Sequence, residues 1–283
     1  MKYAYYPGCS LEATAREYDA STRAALGALG VEAEELHGWN CCGASSGHSY
    51  DHLLSLALPA RVLALAEEQG QDVIVPCAAC FNRLAVARRE IGADAKVRAN
   101  VEAVVGRPLT GQSKVLSPLT VIERALAALP LGWQPPRPLA GLRLAPYYGC
   151  LLARPPEATG FGHPEFPAAL ETILGRLGAT PVSWSSHTDC CGGNLSLTRG
   201  DLVRTMVGRI ADAAGEAGAM ALVTACPLCQ TNIEMRQPRG TRLPSFYFSE
   251  LVALALDLPG LGGWLRKHLI DPAPLLRSLG LVA

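Results

Sequence analysis

Three things are missing from this chain of 283 residues: a charge excess, a long apolar run and a nucleotide-binding glycine signature. Lysine plus arginine number 25 and so do aspartate plus glutamate, so the formal net charge is zero. That balance gives no global basic field to gather nucleic acid and no polybasic tail for a membrane surface. No run approaches the roughly 18 apolar residues that cross a bilayer. The most apolar late stretch, Leu251 to Leu256, is stopped by Asp257, Pro259 and Gly260. The opening residues, Met1 to Cys9, lack the apolar segment of a secretory leader. A soluble, cytoplasmic protein that does not span a membrane is expected. With 49% hydrophobic residues, a folded core is available and disorder is excluded.

What the chain does have is ten cysteines, all in two sets of one design. The first set is Cys9, then Cys41-Cys42 before Gly43, then Cys77 and Cys80. The second is Cys150, then Cys190-Cys191 before Gly192 and Gly193, then Cys226 and Cys229. In both, thirty-four residues separate the adjacent pair from the Cys-x-x-Cys. Thiols stay reduced in the cytoplasm, so metal or cluster ligation, or redox catalysis, takes precedence over a disulfide framework.

The rest of the chain repeats as well. A strand over residues 2–8 delivers Cys9, a helix follows over 12–29, and a strand from Val31 to Leu36 leads to the first cysteine pair. Helical pattern spans Tyr50–Leu58, and Pro59 opens a second helix to Glu68. Asp72–Pro76 reads as a buried strand ending at Cys77, followed by a helix to about Arg89. Short helices are expected at Val101–Val105 and Leu119–Leu129. Four prolines between Pro130 and Pro138 then mark the domain boundary. In the second half, Leu142–Ala145 leads to Cys150, and Phe166, Leu170, Ile173, Leu174 and Leu177 form a helical stripe. A strand over Thr180–Ser185 precedes Cys190. A helix around Leu202–Ile210, a buried strand at Met220–Thr224, and helices near Ser249–Leu256 and Trp264–Leu269 complete the pattern. The expected architecture is α/β. It has two pseudo-symmetric domains, residues 1–137 and 138–283, each a small, mostly parallel sheet with flanking helices. Cysteines at strand ends occupy the position where open α/β sheets bind ligands.

Five thiolates per set exceed what a tetrahedral zinc or a cubane iron–sulfur cluster requires. The count points to a larger or distorted iron–sulfur assembly, with zinc at one or both sites as the alternative. Gly43, Gly192 and Gly193 read as turn geometry that lets adjacent cysteines face one centre. His37 and His187 lie just before the two cysteine pairs. His187 is a candidate proton donor, against the plainer reading of a loop histidine. Arg154, Arg199 and Arg236 are candidates for holding an anionic substrate group, or surface residues. The tyrosines beside Cys9 and Cys150 read as packing around the clusters. The Pro- and Gly-rich segment Leu152–Pro167 reads as a surface connection, with a lid as the alternative.

These motifs resemble the CCG-domain proteins. The phrase Thr224-Ala225-Cys226-Pro227-Leu228-Cys229-Gln230, continuing through Asn232 to Met235-Arg236-Gln237, is similar to the B-type subunit of heterodisulfide reductase. The resemblance implies two non-cubane [4Fe-4S] clusters. One is held by Cys9, Cys41, Cys42, Cys77 and Cys80, the other by Cys150, Cys190, Cys191, Cys226 and Cys229. A disulfide is cleaved to two thiols between them, or formed in reverse. It further implies two partner subunits: a small electron-transfer one with cubane clusters (the C type) and one that carries flavin (the A type). The missing G-x-G-x-x-G fingerprint is in keeping with that division. Three alternatives stand beside it. One is a CCG electron-transfer subunit of a quinone-linked succinate, lactate or glycerol-phosphate dehydrogenase. A second is a bacterial sulfur-oxidising version. The third is a scaffold subunit that holds zinc.

Overall fold

The computed structural model describes residues 2–44, 46–238, 240 and 242–282. Two four-stranded sheets share one plan. In the first, β1 (Lys2–Tyr5), β2 (Glu32–Glu35), β3 (Val73–Ile74) and β4 (Val115–Leu116) lie in the order β2-β1-β3-β4. In the second, β5 (Arg143–Tyr147), β6 (Thr180–Pro181), β7 (Ala221–Thr224) and β8 (Ser245–Tyr247) lie in the order β6-β5-β7-β8. Every strand pairing is parallel. Parallel neighbours need crossovers, and helices on the sheet faces bury both sides. The central strands are accordingly apolar: Ala4, Tyr5, Val73, Ile74, Leu144, Ala145, Leu222 and Val223 are fully buried. The expected α/β fold with duplicated halves is therefore present.

Several local expectations need correction. Pro59 does not open a helix. It lies inside one continuous helix, His52–Glu68, whose true start is Asp51, where the carboxylate accepts the Leu54 N–H at 2.7 Å. Conversely, the long helix expected at 12–29 is two helices, Gly8–Ala13 and Arg16–Ala28. Ala95–Val105 is a full helix where only its last turn was expected; Asp94 caps it by accepting from Lys96 and Val97. Phe166 lies outside the helix Ala169–Arg176 and is 68% exposed. The strand expected over Thr180–Ser185 is only two residues long. Both fourth strands, β4 and β8, went unforeseen.

The two halves meet along the helix Arg16–Ala28, which packs on the helix Phe248–Ala255. Ser21 and Ser249 hydrogen-bond at 2.7 Å across that seam. Tyr18, fully buried, stacks on Tyr247 with ring centroids 4.2 Å apart. Its hydroxyl lies 3.3 Å from the Pro76 carbonyl and 3.2 Å from that of Ala225. Those carbonyls belong to corresponding residues, immediately before Cys77 and Cys226. One phenol thus spans the two repeats.

Candidate metal–thiolate centre

The sheet order places each cysteine set in a crevice. The chain leaves β1 and β3 in opposite lateral directions, and the gap between their C-terminal ends is where such sheets bind ligands. Cys9 follows β1 and Cys77 follows β3; Cys150 follows β5 and Cys226 follows β7. All ten cysteines are free thiols.

The two sets are built alike in detail. Cys42 and Cys80 have their sulfurs 3.2 Å apart, and Cys191 and Cys229 3.5 Å apart. The Gly43 N–H points to Cys41 Sγ at 3.4 Å, and the Gly192 N–H to Cys190 Sγ at 3.3 Å. Gly43 and Gly192 both have φ near +76°, the left-handed turn expected of them. The Tyr6 hydroxyl donates to the Asn40 carbonyl at 2.8 Å, and the Tyr147 hydroxyl to the Asp189 carbonyl at 2.7 Å. These tyrosines brace the loops that carry the cysteine pairs. Gly8 and Gly149 leave room for sulfur. A Cβ at Gly8 meets Cys80 Sγ at 3.0 Å, and one at Gly149 meets Cys229 Sγ at 2.9 Å, both at positive φ.

The two sets also act on each other: beside one another across the repeats, Cys226 raises the Cys77 thiol and Cys77 lowers that of Cys226. Protons are shared unequally along these contacts. The bond from Cys80 draws the Cys42 thiol down to about 7, helped by the Ala44 N–H and the Arg83 charge. The bond from Cys150 draws Cys190 down to about 6, helped by the Gly192 N–H and Arg154. Cys226 is lowered by its bonds from Cys229 and Cys77. Their partners Cys80, Cys150 and Cys229 are raised. Each set therefore presents thiolate at neutral pH, the form that ligates metals.

The space around these sulfurs consists of two adjoining cavities. The larger, ≈ 390 Å³, is lined by the first set together with Gly193, Asn194, Leu228 and Asn232 of the second half. The smaller, ≈ 100 Å³, is lined by the second set and by Ala78 of the first half. Gly193, Asn194 and Leu228 line both. Among the described residues, no three His, Cys, Asp or Glu side chains are arranged to hold a single metal ion. Soft, partly ionised thiols around a cleft, with glycines where a side chain would collide with sulfur, suit a bulkier iron–sulfur group better than a point ion.

The other candidates distribute unevenly. His187 is buried and lines neither cavity. Its carbonyl accepts the Tyr148 N–H at 2.8 Å, and its Nδ1 lies 3.2 Å from Glu171, outside hydrogen-bond geometry. His37 is exposed. Arg154 donates to the Thr188 carbonyl and is paired with Glu165 at 2.6 Å, while its charge reaches Cys190. Arg199 is paired with Asp201 at the surface. Arg236 donates to the Ser196 carbonyl, behind a residue of the cavity wall. The segment Leu152–Pro167 is anchored to the other half, more than a surface connection. Asn82 donates to the carbonyls of Leu151 and Arg154, and Phe161 is buried against Phe81 and Tyr148. Asn232 was missed. Its amide donates to the Cys191 carbonyl at 3.0 Å, and a polar residue three positions after Cys229 on the same helix was its signal.

Fold and site together define a class: a duplicated, parallel-sheet α/β protein with a pair of five-thiol cradles lining two adjoining cavities. The chain belongs to the CCG cysteine-rich domain family, whose model matches residues 3–85 and 144–234. It is an iron–sulfur protein of that family, related to the B-type subunit of heterodisulfide reductase. Among its relatives is the 8-methylmenaquinol:fumarate reductase membrane anchor subunit of Wolinella succinogenes, 33% identical over 97% of this chain and 99% of that protein. The B-type subunit of the ferredoxin/F(420)H(2)-dependent CoB-CoM heterodisulfide reductase of Methanosarcina acetivorans is 26% identical over 90% of this chain and 89% of its own length. A solved structure, a hypothetical protein from Helicobacter pylori, superposes with a TM-score of 0.71 at 11% identity; it covers 94% of this chain, which spans about half (51%) of the other, and it bears on the fold alone. Among the described residues, no helix is long and apolar enough to cross a membrane.

Proposed function

We propose that this chain is the two-cluster catalytic subunit of a heterodisulfide-reductase-like oxidoreductase complex, in which a disulfide is reduced to two thiols, or the reverse, in the cleft between the two cysteine sets. The observation that carries the reading is the larger cavity, walled by both repeats. One non-cubane [4Fe-4S] cluster would be held by Cys9, Cys41, Cys42, Cys77 and Cys80, the other by Cys150, Cys190, Cys191, Cys226 and Cys229. When bound, such a pair supplies two electrons, one from each site. The chain's own residues do the rest. Gly8 and Gly149 keep the sulfur positions clear, Tyr6 and Tyr147 hold the paired-cysteine loops, and Asn194, Ser196 and Thr231 put polar groups on the cavity wall. His187 supports the turn at Tyr148 through its carbonyl and lines neither cavity. Residues 1–137 and 138–283 are taken as the two domains. The partners are two further subunits in the cytoplasm, one small with cubane clusters, the other carrying flavin.

A second reading is electron transfer to or from a quinone. Two observations favour it. The relative from Wolinella is named for a menaquinol:fumarate reductase. Among the described residues, the larger cavity is lined by no Lys, Arg or His, so a neutral substrate suits it. Anaerobically reconstituted protein, reduced with dithionite and freed of the excess, separates the two. Reoxidation on adding cystamine supports the disulfide reading, and reoxidation by 2,3-dimethyl-1,4-naphthoquinone alone supports the quinone reading. A colourless protein containing zinc would establish the scaffold reading and overturn both.

A further inference from the structure

Behind the second Cys-x-x-Cys lies a buried ionic cluster that, among the described residues, has no counterpart in the first half. His268 is enclosed: Nδ1 lies 2.6 Å from Glu234 and Nε2 3.0 Å from both oxygens of Glu250. The three side chains are 1%, 5% and 0% exposed. Three of the four carboxylate oxygens have a further partner. Glu234 accepts from the Gln230 amide at 2.9 Å and the Leu269 N–H at 2.8 Å, and Glu250 accepts the Tyr247 N–H at 2.9 Å. Gln230, next to Cys229, also accepts from the Thr224 hydroxyl at 2.7 Å, two residues before Cys226. The network is thus continuous with the turn that carries the second set's Cys-x-x-Cys.

Counting from Cys77 as from Cys226, the positions of Thr224, Gln230 and Glu234 are held in the first half by Val75, Phe81 and Ala85. All three are buried and apolar. The same helix and turn therefore carry an ionic network in one repeat and a hydrocarbon core in the other.

The His268 imidazole is held as a cation by the two carboxylates, its pKa raised to about 10 despite burial. One imidazolium against two carboxylates leaves one negative charge in a site of low dielectric. A ≈ 170 Å³ pocket lined by Glu17, Thr14, Thr231, Lys267 and Tyr247 opens onto the network. Glu17, on the helix packed against this region, has its pKa raised by desolvation and by the Glu250 and Glu234 charges, with His268 opposing. The titratable groups facing the network are thus Glu17, Lys267 and Tyr247. Thr14 and Thr231 also line the larger cavity, beside the first cysteine set, so the pocket opens next to that cavity, while Gln230 and Thr224 tie the ionic network itself to the turn of the second set.

We propose that the Glu17–Glu234–Glu250–His268 cluster is a proton-binding site coupled to the electron count of the second cysteine set. It gains a proton when the group held by Cys150, Cys190, Cys191, Cys226 and Cys229 is reduced, and releases it on oxidation. The inference rests on the two-cluster reading above. Its balance is one electron, from a low-potential iron–sulfur partner, and one proton, from water through the Glu17 pocket, entering together. An added electron raises the proton affinity of a nearby anionic site, and the bound proton offsets the added charge. The first set, backed by Val75, Phe81 and Ala85, has no such site behind it.

The test is a redox titration of the anaerobically reconstituted full chain from pH 6 to 9, following each site by electron paramagnetic resonance. The second site is assigned as the signal lost in Gly149→Ala. The expected result is a midpoint that falls with rising pH at the second site and stays flat at the first. Glu234→Gln should flatten the second at unchanged iron content. Glu17→Gln, at a half-buried position outside the enclosed triad, should weaken the slope and serves where Glu234→Gln fails to fold. Flat midpoints at both sites of the wild type, or a slope untouched by either variant, would overturn the proposal. A wild-type chain that takes up no iron overturns the two-cluster reading, and this inference with it.

Discussion

The two halves agree wherever sulfur is handled and differ wherever charge is handled. Both brace the paired-cysteine loop with a tyrosine hydroxyl, turn it at a glycine and clear the Cys-x-x-Cys sulfur with another glycine. The surroundings then diverge. Arg83 acts on Cys42 in the first half, whereas its counterpart in the second, Asn232, binds the Cys191 carbonyl, and a cation from elsewhere, Arg154, acts on Cys190. Phe81 packs on Phe161 where Gln230 enters the His268 network. Geometry for holding sulfur is thus common to both repeats, and the electrostatic setting is individual to each. On the proposed two-cluster reading, the sites need not share a potential, and this asymmetry is a physical means of separating them.

The comparison can be broken at several points. The largest effect is expected from Gly149→Ala, which puts a methyl 2.9 Å from Cys229 Sγ at a positive φ. Iron per chain should fall by roughly half, and Gly8→Ala should remove the other half. Loss of all iron in either variant would mean that the cradles do not load separately. Next comes His268→Gln, which leaves two buried carboxylates without their cation and should cost about 3 kcal/mol in chemical denaturation at pH 7. The sign with pH follows from the raised pKa. The stabilisation is complete below the unfolded-state value near 6.5 and is lost as pH climbs through about 10. The wild type should therefore weaken across that window, and the variant should not show this component.

Tyr18→Phe sharpens the comparison differently, because its hydroxyl serves both halves. A loss of about 1 kcal/mol is expected, and iron at both sites should respond together. An effect confined to one site would show that the phenol belongs to that half alone. The smallest effect concerns Cys190 in metal-free protein. Its lowered pKa means thiolate above about 6, so iodoacetamide labelling should be half-maximal near that pH. Arg154→Gln should move the midpoint upward.

Much of this was legible because sulfur chemistry is written in short, spaced words. Cys9 to Cys80 and Cys150 to Cys229 disclose the duplication, and Val73-Ile74 and Ala221–Thr224 are apolar enough to read as buried strands ending at cysteines. What escaped depends on partners distant in sequence. β4 and β8 are only two and three residues long, and their neighbours β3 and β7 make them strands. Pro59 mimics a helix start, yet the helix around it tolerates the missing N–H. Phe166 matches a helical stripe but lies against the His187 ring. Tyr18 looks like an ordinary core residue, and nothing local shows that its hydroxyl reaches carbonyls 58 and 207 residues away. His268 and its two glutamates are likewise separated by 34 and 18 residues and meet only in the fold. His187 sits three residues from Cys190, and its proximity to Glu171 at 3.2 Å is visible only in the fold.

The central claim is that one chain carries two complete cluster sites. Anaerobic reconstitution followed by iron and acid-labile sulfide analysis tests it most directly. About eight irons per chain are expected, about four lost with either glycine variant. About four irons in the wild type, or zinc in place of iron, would contradict it.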